Sequence, residues 1–248
     1  SVDITEAALG EHVMTAAAHA NLSSAARSLK RFDVARKHGD LALEMLVEQS
    51  GPDSRKVAGL LINLANLAHD MGDLDLAAGY LERALAHPDN PHRHHALEGM
   101  GAVHQARGEF DEAIESYRGA LELRQQSGAV DLAIQSRMHI GSVQLSAGQN
   151  EESLETHIEC IEAMDASDLR NHIHKPDAYH GIGEAHANLG RHGKAVEAFA
   201  KSLELFAAAE TPRPADVAKV EYLQGVSLWA LGRRDEARAR VTEARATA

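Results

Sequence analysis

The sequence predicts an all-α solenoid of about six helix–turn–helix repeats, and three observations predict it. First, a short signature returns six times. The copies are Leu29-Lys30-Arg31-Phe32-Asp33-Val34-Ala35, Met71-Gly72-Asp73-Leu74-Asp75-Leu76-Ala77, Arg107-Gly108-Glu109-Phe110-Asp111-Glu112-Ala113, Ala147-Gly148-Gln149-Asn150-Glu151-Glu152-Ser153, Leu189-Gly190-Arg191-His192-Gly193-Lys194-Ala195 and Leu231-Gly232-Arg233-Arg234-Asp235-Glu236-Ala237. Second, from Lys30 through the five turn glycines the steps are 42, 36, 40, 42 and 42 residues. A period in this range belongs to stacked helical pairs in which each unit contacts its neighbours. Third, the signatures lie between amphipathic segments, and the chain shows none of the Val/Ile/Thr alternation that strands favour.

The elements follow in order. The first repeat, approximately 4–50, opens on a helix-start box, Asp3-Ile4-Thr5-Glu6, which predicts a long first helix from Ile4 to Leu29. Gly51-Pro52-Asp53-Ser54 precedes the second repeat, 53–89. Leu60, Leu61, Leu64, Leu67 and Ala68 stripe its first helix; Leu74, Ala77, Leu81, Ala84 and Leu85 stripe its second. Gly72 falls where the chain must reverse, a place for left-handed backbone angles. Asp73, like Asp111 in the third copy, begins the second helix, where an acid complements the amide dipole. His87-Pro88-Asp89-Asn90-Pro91 precedes the third repeat, 92–127, and Ser127-Gly128 the fourth, 129–166. Ser167 to Pro176 precedes the fifth, 175–210, and Thr211-Pro212-Arg213-Pro214 the sixth, 214–248. Proline is welcome at a helix start and excluded from its interior, so these stretches are punctuation. Twelve helices in one solenoid over residues 1–248 are expected. After Arg234 to about Ala246 no capping helix follows, which predicts thin cover over Leu228 and Val241 and points to truncation, self-association or docking of another domain.

Charge and composition narrow the function. With 25 Lys and Arg against 37 Asp and Glu the formal charge is −12, which opposes direct binding to nucleic-acid phosphates. A cationic peptide or protein patch would be steered inward instead, although an acidic surface also serves solubility alone. The single cysteine, Cys160, excludes an internal disulfide framework and fits a reducing cytoplasm. No run approaches the roughly 20 apolar residues needed to span a bilayer, and no basic segment leads into an apolar one at the N-terminus. A cytoplasmic protein without membrane contact is expected. Ser1 is not a start Met, so either the initiator is removed or the chain is part of a longer polypeptide.

The positional pattern resembles the tetratricopeptide repeat family over roughly Ala16 to Ala248. Seven residues before the turn residue the family places Gly or Ala; Ala65, Gly101, Gly141, Gly183 and Gly225 stand there, with Ser23 in the first copy. Five after it come Ala35, Ala77, Ala113, Ser153, Ala195 and Ala237; twelve after it, Ala42, Ala84, Ala120, Cys160, Ser202 and Ala244. Nine after it a bulky side chain is usual, and Leu81, Tyr117, Phe199 and Val241 comply, whereas Gly39 and His157 do not. The resemblance implies a right-handed superhelix. Its repeats, longer than the family minimum, are similar to the C-terminal arrays of bacterial multidomain signalling ATPases and actinobacterial antibiotic-regulatory transcription factors, and to some peptide-pheromone receptors.

Several apparent chemical motifs dissolve in this frame. Gly99-Met100-Gly101 and Gly181-Ile182-Gly183 imitate the opening of a dinucleotide loop, but His104 or His186 takes the third glycine's place and the glycines fall inside helices. Among 16 histidines, His92, His94 and His95 cluster at one linker and His172 and His174 at another, and zinc would want three or four convergent ligands. Cys160 lies three residues from His157 but occupies a small-residue packing slot, the place of an inert thiol. No catalytic residues, cofactor or metal site are expected.

The resemblance also implies where a partner binds. In the family the first helix of each pair lines a concave groove, through positions thirteen, ten, six and three before the turn. These carry over to Arg27 in the first copy; Asn66 and His69 in the second; Glu98 and Gln105 in the third; Met138 in the fourth; Asp177, His180 and Glu184 in the fifth; and Lys219, Tyr222, Val226 and Trp229 in the last. Asn66 alone matches the two Lys, an Arg and two Asn with which chaperone-tail receptors of the family clamp a terminal carboxylate. Glu98, Asp177 and Glu184 would favour basic residues on the ligand, and Tyr222 and Trp229 an aromatic anchor. The expected function is a non-catalytic protein- or peptide-binding module, the sensor or scaffold arm of a bacterial regulatory protein, with a fused effector or a second copy as further partners. The alternatives are a stand-alone receptor for a short signalling peptide and a metal- or pH-responsive accessory protein using the histidines.

Overall fold

The computed structural model describes residues 12–52, 54–87, 90–167 and 173–247. Among them are twelve helices and no strand. In order they are α1 (His12–Ser28), α2 (Phe32–Ser50), α3 (Arg55–Asp70), α4 (Leu74–Ala86), α5 (Arg93–Arg107), α6 (Phe110–Gln126), α7 (Val130–Ser146), α8 (Asn150–Ala166), α9 (Lys175–Asn188), α10 (His192–Ala207), α11 (Pro214–Ala230) and α12 (Arg234–Thr247). The expected helix start at Ile4 lies outside the described residues. By its contacts the chain divides into two compact units, 1–123 and 124–248.

Every hairpin turn closes the same way. At the second turn the Asp73 N–H donates to the Ala68 carbonyl and the Gly72 N–H to His69; the pattern returns at Glu109–His104, Gln149–Gln144, Arg191–His186 and Arg233–Leu228. This is the paired C-terminal cap that needs one left-handed residue, and Gly72 supplies it at φ +81°. In the first copy Lys30 takes that conformation, at φ +56°, and the Arg31 N–H still reaches the Ala26 carbonyl.

In the first unit α1 packs on α2 and α3 on α4, with α3 beside both α1 and α5. Val57, Leu60, Leu61, Leu64, Leu81 and Val103 are fully or nearly buried among alanines. Ser54 and Asp73 cap α3 and α4, accepting from the Val57 and Leu76 N–H groups. The glycines inside α5 serve close packing: a Cβ at Gly101 would stand 2.9 Å from the Tyr117 ring, and one at Gly99 2.9 Å from Leu81. At Gly39, where the family places a bulky residue, Leu64 fills the space from the neighbouring helix.

In the second unit α7 packs on α8, α9 on α10 and α11 on α12, with α9 beside α7 and α11. His157 takes the bulky position of its repeat. Its ring lies between Gly141 and Gly181, and its Nδ1–H donates to the Ser153 carbonyl at 2.8 Å. The slot therefore demands volume rather than an apolar atom. The small-residue positions are buried in all six copies, Cys160 among them at 0 % exposure. Where serine replaces alanine its hydroxyl finds a carbonyl: Ser153 donates to Gly141 and Ser202 to Pro176. Arg124 is 2 % exposed and donates to the Leu132 carbonyl and the Ser136 hydroxyl.

The thin cover expected at the last hairpin does not hold for Leu228, which is 3 % exposed, while Val241 is half-buried. The outer side of α12 is charged and pairs with itself. Arg233 meets Glu236 at 2.5 Å, Arg240 meets Glu243 at 2.7 Å, and Arg238 lies 3.7 Å from Asp235.

Candidate functional site

The sixth repeat carries the most distinctive surface. On α11, Ala218, Val220, Gln224, Gly225, Ser227 and Leu228 are buried, while Lys219, Tyr222, Val226 and Trp229 are exposed. Spacings of three and four residues put those four on one face. Tyr222 is 54 % and Trp229 49 % exposed, high values for aromatics that packing would normally bury. The Arg234 guanidinium lies 3.7 Å from the Trp229 ring centroid, a cation–π stack that leaves the indole accessible.

The fifth repeat supplies the polar side. His180 Nε2 is 3.6 Å from Glu184 Oε2, and Lys219 Nζ reaches the other carboxylate oxygen at 3.4 Å. Burial works to raise the Glu184 pKa, but the His180 and Lys219 contacts outweigh it and hold the carboxyl below its usual range. Asp177 behaves alike: burial is overcome by hydrogen bonds from His174 and from Arg213, whose guanidinium grips both oxygens at 2.8 and 2.9 Å. Arg213 also stacks on Phe206 at 4.9 Å. In the fourth repeat Met138 packs against the Ile134, Cys160, Met164 and Ala178 cluster, so much of its surface serves the seam.

In the first unit Arg27 lies 3.5 Å from Asp70, and His69 4.0 Å from the same carboxylate. Asn66 and Gln105 are half-buried on α3 and α5. Glu98 has His95 at 3.8 Å. The three acids expected to face a basic ligand thus each have a basic neighbour within the chain. Sequence reasoning missed the residues that pair with the expected ones: Asp70, Arg213 and Arg234. Arg213 sits inside a Pro-Arg-Pro stretch read only as punctuation, and Arg234 in the signature itself.

Among the described residues no group of three or more His, Cys, Asp or Glu is placed to hold an ion. The His94 and His95 rings lie 4.1 Å apart with planes tilted by 43°, His174 turns to Asp177 at 3.4 Å, and His172 lies outside the described residues. Burial pushes the Cys160 thiol up to about 12, which keeps it protonated and unreactive at neutral pH. No described helix is long and apolar enough to cross a membrane.

The hairpin stack, the glycine-on-ring crossings and the exposed first-helix faces define a repeat scaffold for protein interaction. The Tetratricopeptide repeat profile matches residues 1–88, 93–172 and 174–248, and the chain belongs to that family. Solved structures similar to it include the apo form of RapI, at 14 % identity and TM-score 0.74 over 94 % of this chain and 98 % of that one. BtubC from P. vanneervenii follows at 16 % and 0.58, over 97 % and 91 %, and MamA from Desulfovibrio magneticus RS-1 at 19 % and 0.58, over 77 % and 94 %. No curated protein sequence matches the chain. Identities this low carry the fold alone. The tetratricopeptide fold is generally a non-catalytic scaffold for protein interaction, and membership of the family supports a protein-interaction module here.

Proposed function

We propose that the chain binds an extended peptide or protein segment in a concave groove lined by the first helices, as the sensor or scaffold arm of a cytoplasmic bacterial regulatory protein. The observation that carries this reading is the Tyr222–Val226–Trp229 stripe beside the Glu184–Lys219 pair. Exposed aromatic and apolar side chains next to an ion pair with a half-buried acid are the composition of an interface centre with a polar edge. Tyr222 and Trp229 would anchor an apolar residue of such a segment on the second unit; on the first unit, half-buried Asn66 and Gln105 offer side-chain amides that could bond to a peptide backbone. A basic ligand residue would compete with Lys219 for Glu184. Lys219 is the replaceable partner, because its side chain is 56 % exposed against 27 % for Glu184. A stand-alone receptor for a short signalling peptide would use the same groove.

The test is selection of short peptides on the immobilised full chain, followed by calorimetry of the selected sequences. Saturable binding weakened by Tyr222→Ala, Trp229→Ala and Glu184→Lys is the expected result. Selected peptides whose affinity ignores all three variants would overturn the reading.

A further inference from the structure

His19 on α1 and His38 on α2 face each other across the first hairpin, Nδ1 to Nδ1 at 2.7 Å, with ring centroids 4.9 Å apart and planes 26° from parallel. His19 is 8 % exposed and His38 half-buried. A hydrogen bond between two imidazole nitrogens needs one N–H and one lone pair. One ring can take up a proton at its far nitrogen and still donate, so the pair tolerates a single positive charge. A second proton must go onto the accepting Nδ1, and two N–H bonds then meet head to head in a gap that holds one hydrogen.

The surroundings do not relieve that conflict. Lys37 adjoins His38 on α2, and Asp40, one turn further, lies 3.9 Å from Arg36. The described side chains of α1 add one full charge, Arg27, which lies at the far end of the helix with Asp70. The neighbouring α3 presents Leu64 at Gly39 and carries Arg55, Lys56, His69 and Asp70 at its two ends. From α4, Tyr80 faces Asp40 and Arg36. Burial first, then the charges of His19 and Lys37, hold the His38 pKa below its ordinary value.

We propose that the His19–His38 pair is a proton-operated latch between α1 and α2, closed with at most one added proton and released when both imidazoles are charged. The contacts that loosen with it are close by. Ser23 on α1 donates to the Ala35 carbonyl at 2.7 Å, and both Ser23 and Leu64 crowd Gly39. Release also takes Arg27 away from Asp70, so acid would dismantle the first-repeat part of the partner face. The latch does not depend on which ligand that face takes.

The direction follows from proton counting. The released hairpin binds one more proton than the latched one, so release is favoured as pH falls below the ordinary histidine value of about 6.5. Well below that value each further pH unit raises the open fraction about tenfold, and well above it pH has no effect. Ring ¹⁵N resonances of the full chain, assigned with His19→Gln and His38→Gln, test this between pH 8 and 5. One imidazole of the pair should stay neutral until the α1 signals are lost; both titrating independently near 6.5 with α1 unmoved would overturn the latch. Amide exchange gives a second readout. Protection of α1, corrected for intrinsic rates, should fall about fivefold from pH 6.5 to 5.5 in the native chain and stay level in His38→Gln. Equal slopes in the two would sink the proposal. If circular dichroism shows His38→Gln unfolded at pH 7.5, His19→Gln serves in its place, and the ring titration of the native chain stands by itself.

Discussion

Leu64 occupies the volume that Gly39 leaves open. Its Cδ2 lies where a Cβ on residue 39 would stand, so the knob of the first seam comes from α3 instead of α2. Gly39→Ala should cost about 1–3 kcal/mol through overpacking. The penalty should shrink in a Leu64→Ala background, a coupling that a double-mutant cycle of urea melts would measure. Gly79→Ala is the matched control. It lies inside α4 with nothing within 4 Å of its built Cβ, so it should stabilise by up to about 1 kcal/mol.

Lys30 is the one described non-glycine residue with positive φ. A left-handed L-residue costs about 1–2 kcal/mol, and glycine returns roughly half of that as lost chain entropy. Lys30→Gly should therefore raise stability by about 0.5–1 kcal/mol, read as a higher urea midpoint at unchanged slope. No gain would mean that the Lys30 side chain makes a compensating interaction.

His157 makes the second unit acid-sensitive. Burial depresses its pKa, against the opposing Ser153 hydrogen bond. The unfolded chain therefore takes the proton first. Stability should be at its full value above about pH 6.5 and fall as pH drops toward the folded-state value, by up to about 1.4 kcal/mol per unit. His157→Leu keeps the volume between Gly141 and Gly181 and should remove that slope. The difference between native and variant melts at pH 7.5 and 5.5 isolates it from the first hairpin.

Tyr222→Ala and Trp229→Ala should each weaken a selected peptide tenfold or more, the scale of a truncated interface anchor. Both side chains are half exposed, so the melting temperature should barely move. A large stability loss without change in affinity would assign them to packing.

Much of the architecture could be read before any coordinates, since the glycine at each turn and the alanines around it answer to local geometry. The Gly101–Tyr117 and Gly183–Phe199 crossings follow from the same spacing. The departures were visible too, but not their resolution. Nothing in the order of residues says that Leu64 reaches over to Gly39, or that two glycines forty residues apart, Gly141 and Gly181, close on one imidazole. The site was legible as positions and not as partners. Glu184 and Asp177 read as acids awaiting a cation, while Lys219 and Arg213, thirty-five and thirty-six residues further on, already stand against them. Such pairings depend on how neighbouring repeats abut, which a repeat period does not encode. The polarity of α12 was in plain view in its sequence.

Trp229 is the sole tryptophan of the 248 residues. Half open to water beneath an arginine, its indole is a native optical probe on the face proposed to take a ligand. Occupancy should shift its emission to the blue and shield it from an added quencher, so that titrations need no label and report from the groove alone.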